Sequence, residues 1–185
     1  MSAFEKSKSD KIELIDGLIK AGQISAAQVE IEQLTKKQLN RQQLLELAVL
    51  SRRAGLTELV IRLLYKQVRE LGEASDAELC EYAIALIRLG HYAEGGEILA
   101  TLKESSTQIL YTSFAHIYQW EYDSAVVNLK KYLGLKGISD YERLVAEVNL
   151  QAAELILNTQ NQTTEKTLLH LLEKTKKENE HQSST

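Results

Sequence analysis

The sequence has no proline and only one cysteine. The first feature bears on the fold class, and the second on the cellular compartment. Without proline, and with abundant leucine, alanine, glutamate, glutamine and lysine, the chain favours helix throughout its 185 residues. No segment sustains an alternation of apolar and polar residues, so strands are not expected. Cys80 alone cannot form an internal disulfide, which is typical of a protein from a reducing compartment.

Long apolar runs and a basic excess are also missing. No run approaches the ~20 apolar residues that a membrane helix needs, and the N-terminus lacks the apolar core of a signal peptide. The net charge is −4, whereas general nucleic-acid binders show a strong basic excess. We therefore expect a cytoplasmic protein that neither binds nucleic acid nor inserts into a membrane.

Motifs of catalysis and metal binding are absent from the sequence. The four histidines lack metal-ligand spacing, and Cys80 has no second cysteine near it. A Cys80–His116 nucleophile pair is one alternative, but a buried thiol and a partly exposed histidine are favoured. Gly95-Gly96 lies inside a predicted helix, where close helix packing is favoured over a kink or a ligand site. We expect no enzyme activity, cofactor or metal.

Helical patterns separated by glycine run along the whole chain. The clearest junction is at Gly90, where one helical pattern ends and the next starts at once near Tyr92. A helix that stops at a glycine and restarts within two residues must fold back on its neighbour. The same junction is predicted at Gly22, at Gly55 and near Trp120.

About ten helices in five antiparallel pairs are predicted in this way. The first opens near Asp10, and the last is built on Leu168–Leu172. Ser75 with Glu78, and Ser139 with Glu142, have the spacing of capping boxes. Further predicted caps and stops lie at Asn40, Gly72, Ser105 and Asp123.

The hairpins repeat at a nearly constant spacing. The residues just past the four tight turns are Ile24, Thr57, Tyr92 and Tyr122, and their separations are 57 − 24 = 33, 92 − 57 = 35 and 122 − 92 = 30. Three residues further on stand Ala27, Val60, Gly95 and Ala125, where a modest side chain lets two helices approach. A period near ~34 residues with two helices per unit is typical of a stacked helical solenoid.

These residues resemble the tetratricopeptide repeat family. The best unit has Ala83, Leu89-Gly90, Tyr92, Gly95 and Leu99, and a second has Tyr122 and Ala125; the resemblance covers roughly residues 8–135. It implies an all-α, right-handed superhelical solenoid of about five antiparallel hairpins. We expect one such domain over residues 9–178, a flexible lead over 1–8 and a frayed tail over 179–185.

The resemblance also implies that the first helix of each pair lines a concave groove. The candidate partner-binding residues are Lys20, Leu45, Val49, Arg52, Arg53, Ile84, Arg88, Leu110, Phe114 and Tyr118. An apolar groove edged by four cations suits an amphipathic helix or a peptide that carries acidic residues. In the alternative, these apolar residues pack against the next helix, or the helix after Ser139 fills the groove.

The function predicted from the sequence is therefore a non-catalytic adaptor or scaffold that binds a segment of another protein. Two alternatives remain open. One is a small export-type chaperone that holds a client segment. The other is a self-assembling module that forms a homo-oligomer through the predicted helix at Leu168–Leu172.

Overall fold

The computed structural model describes residues 3–158, 166–167, 169–174 and 176, which divide into two compact units, up to Leu89 and from Gly90 onward. All regular structure among these residues is helical. The first unit contains α1 (Ala3–Lys20), α2 (Ile24–Thr35), α3 (Arg41–Arg53), α4 (Thr57–Tyr65), a π-helical segment (Lys66–Leu71) and α5 (Asp76–Arg88). The second contains α6 (Tyr92–Ala100), α7 (Ser106–Tyr118), α8 (Tyr122–Leu133) and α9 (Asp140–Leu157).

In the first unit, each hairpin packs on itself and the first helices pack side by side. Helix α1 pairs with α2 and α3 with α4, while α3 also lies between α1 and α5 and contacts both. The apolar cluster between these helices contains Ile15, Ala27, Ile31, Leu34, Leu47, Leu50, Ala54 and Leu59, all buried. Burial of such side chains stabilises a fold by about 1.5–3 kcal/mol each, so this cluster fixes how α1, α2 and α3 meet.

In the second unit, α6 to α9 pack in sequence, each on the next. Their shared cluster contains Ile109, Leu110, Leu129, Tyr132, Ala146 and Leu150. Helix α9 thus closes the apolar face that α7 and α8 leave open.

The hairpin turns share one backbone conformation. Gly22, Gly55 and Gly90 have φ values of 71°, 80° and 92°, and Trp120 has the same left-handed conformation at 64°. In the turn of Gly22 the amide of Gln23 donates to Leu18 at 2.9 Å. The turns of Gly55 and Trp120 have the equivalent bonds, Leu56 to Ser51 at 2.8 Å and Glu121 to His116 at 2.9 Å. This is the Schellman motif, which ends a helix and satisfies its free carbonyl groups.

The repeat register predicted from the sequence is confirmed. Helices α2, α4, α6 and α8 begin at Ile24, Thr57, Tyr92 and Tyr122, the four residues that were aligned. The residues three positions later, Ala27, Val60, Gly95 and Ala125, are all buried. The small side chain at this position therefore faces the packed side of its helix.

The predicted helix caps are confirmed with one correction. Ser75 and Ser139 form capping boxes with Glu78 and Glu142. Asn40 and Ser105 cap α3 and α7. Asp123 was predicted to cap α8, but it lies in the first turn, because the Schellman turn places the start of the helix at Tyr122.

The start of α1, the end of the helix before Gly72 and the predicted last helix need separate comment. Helix α1 begins at Ala3 and not near Asp10, since nothing in the preceding stretch breaks a helix. The last turns before Gly72 are π-helical. In the predicted last helix, residues 169–172 are helical, whereas Leu168 and the predicted tail over 179–185 lie outside the described residues.

We predict opposite effects of alanine at two glycines. A Cβ on Gly96, inside α6, would meet Ala115 Cβ at 3.6 Å, an ordinary contact. Gly96→Ala should therefore raise the free energy of unfolding by about 1 kcal/mol through helix propensity. Gly55→Ala should lower it by about 1–2 kcal/mol, because φ at Gly55 is +80°. Urea unfolding followed by circular dichroism measures both; destabilisation by Gly96→Ala would mean that α6 and α7 approach too closely for a methyl group.

Candidate functional site

The predicted site residues of α3 lie along one face of that helix. Leu45, Val49, Arg52 and Arg53 follow the i, i+4, i+7, i+8 spacing that places side chains on a single stripe. Leu45 and Val49 are half-buried, and Arg53 is exposed. Since α3 contacts α1 on one side and α5 on the other, this stripe is the middle of a three-helix surface, which we call the first-helix surface.

One edge of the first-helix surface is held by a carboxylate shared between two cations. Asp16 of α1 pairs with Lys20 on its own helix at 2.6 Å and with Arg53 of α3. The hydrogen bonds from Lys20 and then Arg53 lower the pKa of Asp16 below its usual value. One negative charge cannot neutralise two cations, so this edge keeps a positive charge, with the Lys20 side chain 69% exposed.

The opposite edge of the same surface is held by a bidentate ion pair. Arg52 donates from Nε to Glu81 Oε2 at 2.6 Å and from Nη2 to Glu81 Oε1 at 3.2 Å, linking α3 to α5. Arg88 of α5 reaches back and donates to the carbonyl of Arg52 at 3.0 Å. The forked geometry fixes the spacing of the two helices more tightly than a single charge pair does.

A second bidentate pair ties the start of α5 to α3. Arg41 donates to both carboxylate oxygens of Glu78 at 2.8 and 2.6 Å, and the amide and hydroxyl of Ser75 donate to the same carboxylate at 2.8 Å each. The hydrogen bonds from Arg41, and then those from Ser75, lower the pKa of Glu78 to about 2, although burial of the carboxyl group acts in the opposite direction. Glu78 therefore caps its own helix and anchors the neighbouring one.

Ile84 has a different environment from the other predicted residues of this surface. It is fully buried, and so are all its neighbours from residue 81 to residue 87. Cys80, one turn earlier, is half-buried, and burial raises the pKa of its thiol to about 11. A thiol protonated at neutral pH is a poor nucleophile, which disfavours the Cys80–His116 pair as a catalytic group.

In the second unit, the predicted site residues lie at different depths along α7. Leu110 is buried in the apolar cluster, and Phe114 packs partly against it. Tyr118 is 53% exposed, and its ring stacks on that of Tyr92 with centroids 4.6 Å apart. Only Tyr118 of these three presents most of its side chain to solvent.

Among the described residues, no group of three or more histidine, cysteine, aspartate or glutamate side chains is placed to hold a metal ion. In the same part of the chain, no helix is both long and apolar enough to span a bilayer. His116 contacts Glu121 at 2.6 Å through Nδ1, so its polar partner is a carboxylate of the adjoining turn.

The resemblance to tetratricopeptide repeats implies the cations of the first-helix surface but not the carboxylates that pair with them. Glu81 and Asp16 stand on neighbouring helices, 29 and 37 residues from their arginines. Helical spacing gives the face of each helix, whereas cross-helix pairing depends on the axial offset of two helices, which no local pattern records. The left-handed backbone conformation of Trp120 was not predicted either, because glycine is the residue that marks such a turn position in a sequence.

Comparison with known proteins identifies the fold. No family model matches the chain, and no curated protein does. Two solved structures resemble it, both of a putative kinesin light chain from Podosopora anserina with nearly identical TPR-like repeats. The first, of a variant, has 19% identity and a TM-score of 0.59, covering 92% of this chain and 95% of that one. The second has 20% identity and a TM-score of 0.55, covering 88% and 92%.

This likeness confirms the predicted fold class, which is all-α with helical hairpins of the tetratricopeptide type. At 19% and 20% sequence identity, the likeness supports the fold but gives no information about a binding partner.

We predict that the Glu78 anchor makes stability depend on acid pH. The folded-state pKa of Glu78 lies below its usual 4.5, so its contribution is fully present above pH 4.5 and is lost as the pH falls towards 2. The loss should be about 1–3 kcal/mol of unfolding free energy. Urea unfolding between pH 5 and pH 2 should show a shallower pH dependence for Glu78→Gln than for the wild type.

The control for this prediction is Glu32→Gln, on the exposed side of α2. It should retain the wild-type pH dependence. Equal pH dependence in Glu78→Gln and the wild type would show that the Arg41 pair contributes nothing to folding.

Proposed function

We propose that the protein is a non-catalytic interaction module that binds an acidic or amphipathic segment of another protein on the first-helix surface. The observation that carries the proposal is the charge balance of that surface. At the α1 edge two cations, Lys20 and Arg53, share one carboxylate, that of Asp16. This edge therefore keeps a positive charge on a chain whose net charge is −4.

The apolar part of the proposed contact lies on α3. Leu45 and Val49 are half-buried on the same stripe as Arg53, so a bound segment could cover apolar area while its carboxylates meet the cations. This is the chemistry of an amphipathic helix or extended peptide in a groove. Ile84 and Leu110 are buried in their units and are left out of the proposed surface.

The pairing within the surface supports recognition rather than opposing it. Asp16 and Glu81 hold their arginines in fixed positions, which reduces the side-chain entropy that binding must otherwise overcome. Lys20 and Arg53 share one carboxylate, so each can still donate to a second carboxylate from a partner. A cytoplasmic location is proposed with this role, supported by the single cysteine.

The proposal is tested with a displayed library of amphipathic peptides selected on the wild-type protein. Selected peptides should be enriched in aspartate and glutamate. Their dissociation constants should rise roughly tenfold for Lys20→Gln/Arg53→Gln, since two exposed charge pairs contribute about 0.2–1 kcal/mol each. Circular dichroism should show an unchanged helix content in this variant.

The matched control is Lys36→Gln/Lys37→Gln, which removes the same charge from two exposed residues that follow α2. It should bind the selected peptides as the wild type does. If both variants weaken peptide binding equally, the effect comes from the net charge of the protein and not from this surface. Selection of peptides without acidic residues would contradict the proposal. The export-type chaperone and the self-assembling module stay alternative predictions.

A further inference from the structure

The turn between α7 and α8 exposes the largest aromatic side chain in the protein. Trp120, the single tryptophan of the sequence, is 80% exposed. Its ring meets that of Tyr122 edge-to-face at 6.2 Å, and Tyr118, two residues before it, stacks on Tyr92. We call these four residues the aromatic turn. Aromatic residues are only 6% of the chain, so their concentration at one corner is a local feature.

The backbone of Trp120 adds a second observation. In the turns of Gly22, Gly55 and Gly90 the same left-handed position is filled by glycine, the one residue that adopts it without a Cβ penalty. A residue with a bulky side chain is strained at a φ of 64°. Because the indole is exposed, its burial does not offset the energetic cost of this conformation. Strained residues that packing does not explain concentrate at functional sites.

Two carboxylates lie in the turn itself. Glu121 and Asp123 are exposed and lie on either side of Tyr122 in the sequence. No lysine or arginine occurs between residues 104 and 129. The nearby imidazoles are His91, which is exposed next to Tyr92, and His116, which contacts Glu121.

The lysines of α8 lie at the other end of that helix. Lys131 pairs with Glu104, ahead of the start of α7, and Lys130 pairs with Glu154 of α9. Helix α8 begins at Tyr122, so about 12–14 Å of helix separates its lysines from the start of the helix next to Trp120. The lysines of α8 are therefore paired elsewhere, and the carboxylates in the turn itself are those of Glu121 and Asp123.

We propose that the aromatic turn is a docking site for an arginine-bearing segment of a partner protein. A guanidinium group stacks on an indole face, the best cation–π acceptor among side chains, and pairs with carboxylates through its forked donors. Trp120 supplies the face, and Glu121 and Asp123 supply the carboxylates. This site takes a basic segment, opposite in charge to the segment proposed for the first-helix surface, and neither proposal depends on the other.

The test uses the fluorescence of the single tryptophan as a reporter of this site. Acetylated tetra-arginine amide should change the emission of Trp120 in a saturable way. The matched tetra-citrulline peptide has the same shape without the charge, and it should cause no saturable change. An equal response to both peptides would overturn the proposal.

Two charge variants separate local recognition from general attraction. Glu121→Gln/Asp123→Asn should raise the dissociation constant for tetra-arginine at least roughly fivefold, because both proposed carboxylates are lost. Glu13→Gln/Glu32→Gln removes the same charge from exposed residues of α1 and α2 and should bind as the wild type does. Equal weakening in both variants would contradict a local site.

The tryptophan itself is tested with Trp120→Gly and Trp120→Ala, using titration calorimetry because the reporter is lost. Both variants should lose the heat of tetra-arginine binding. Trp120→Gly should unfold at a higher urea concentration than Trp120→Ala, because glycine adopts the left-handed conformation without strain. A stable Trp120→Gly variant that does not bind would show that the loss of binding is not caused by unfolding. Retained binding in either variant would overturn the proposal. The proposal would also be overturned if the wild type dimerises without peptide and Trp120→Gly abolishes that dimer, because the aromatic turn would then bind a second copy of the chain.

Discussion

One backbone constraint, a left-handed residue directly after the first helix of a hairpin, determines the rest of this architecture. At Gly22, Gly55 and Trp120 it closes a Schellman motif, so the chain reverses within three residues. A reversal this short forces the second helix to pack on the first. The small residue three positions into the second helix then allows close approach, and the repeat follows from these two local requirements.

In the first unit this constraint brings α1, α3 and α5 side by side, and cross-helix ion pairs hold them there. Asp16 with Arg53, and Arg52 with Glu81, join each helix to the next. Exposed ion pairs contribute little to stability, but a forked arginine pair defines geometry well. At Asp16 two cations share one carboxylate, and the proposed preference for acidic partners rests on this excess of positive charge.

The sequence predicts the fold closely because its signals are local. Glycine marks three of the turns, and serine with glutamate marks two helix starts. The site is less predictable. The resemblance to tetratricopeptide repeats implies a groove position for Ile84, but residues 81–87 are all buried. A helix that is covered on every side has no periodic signal to separate groove-lining residues from core residues. The pairing of Arg52 with Glu81 depends on a helix offset that spacing does not contain.

Nuclear magnetic resonance of the backbone at Trp120 tests the central claim, that every described hairpin turn requires a left-handed residue even where glycine is absent. At positive φ the amide and α protons of a residue lie closer together than in a helix or strand. A strong intraresidue Overhauser effect at Trp120, compared with the residues within α7 and α8, is the predicted result. A weak effect at Trp120, typical of negative φ, would contradict both the shared turn and the strain inferred from it.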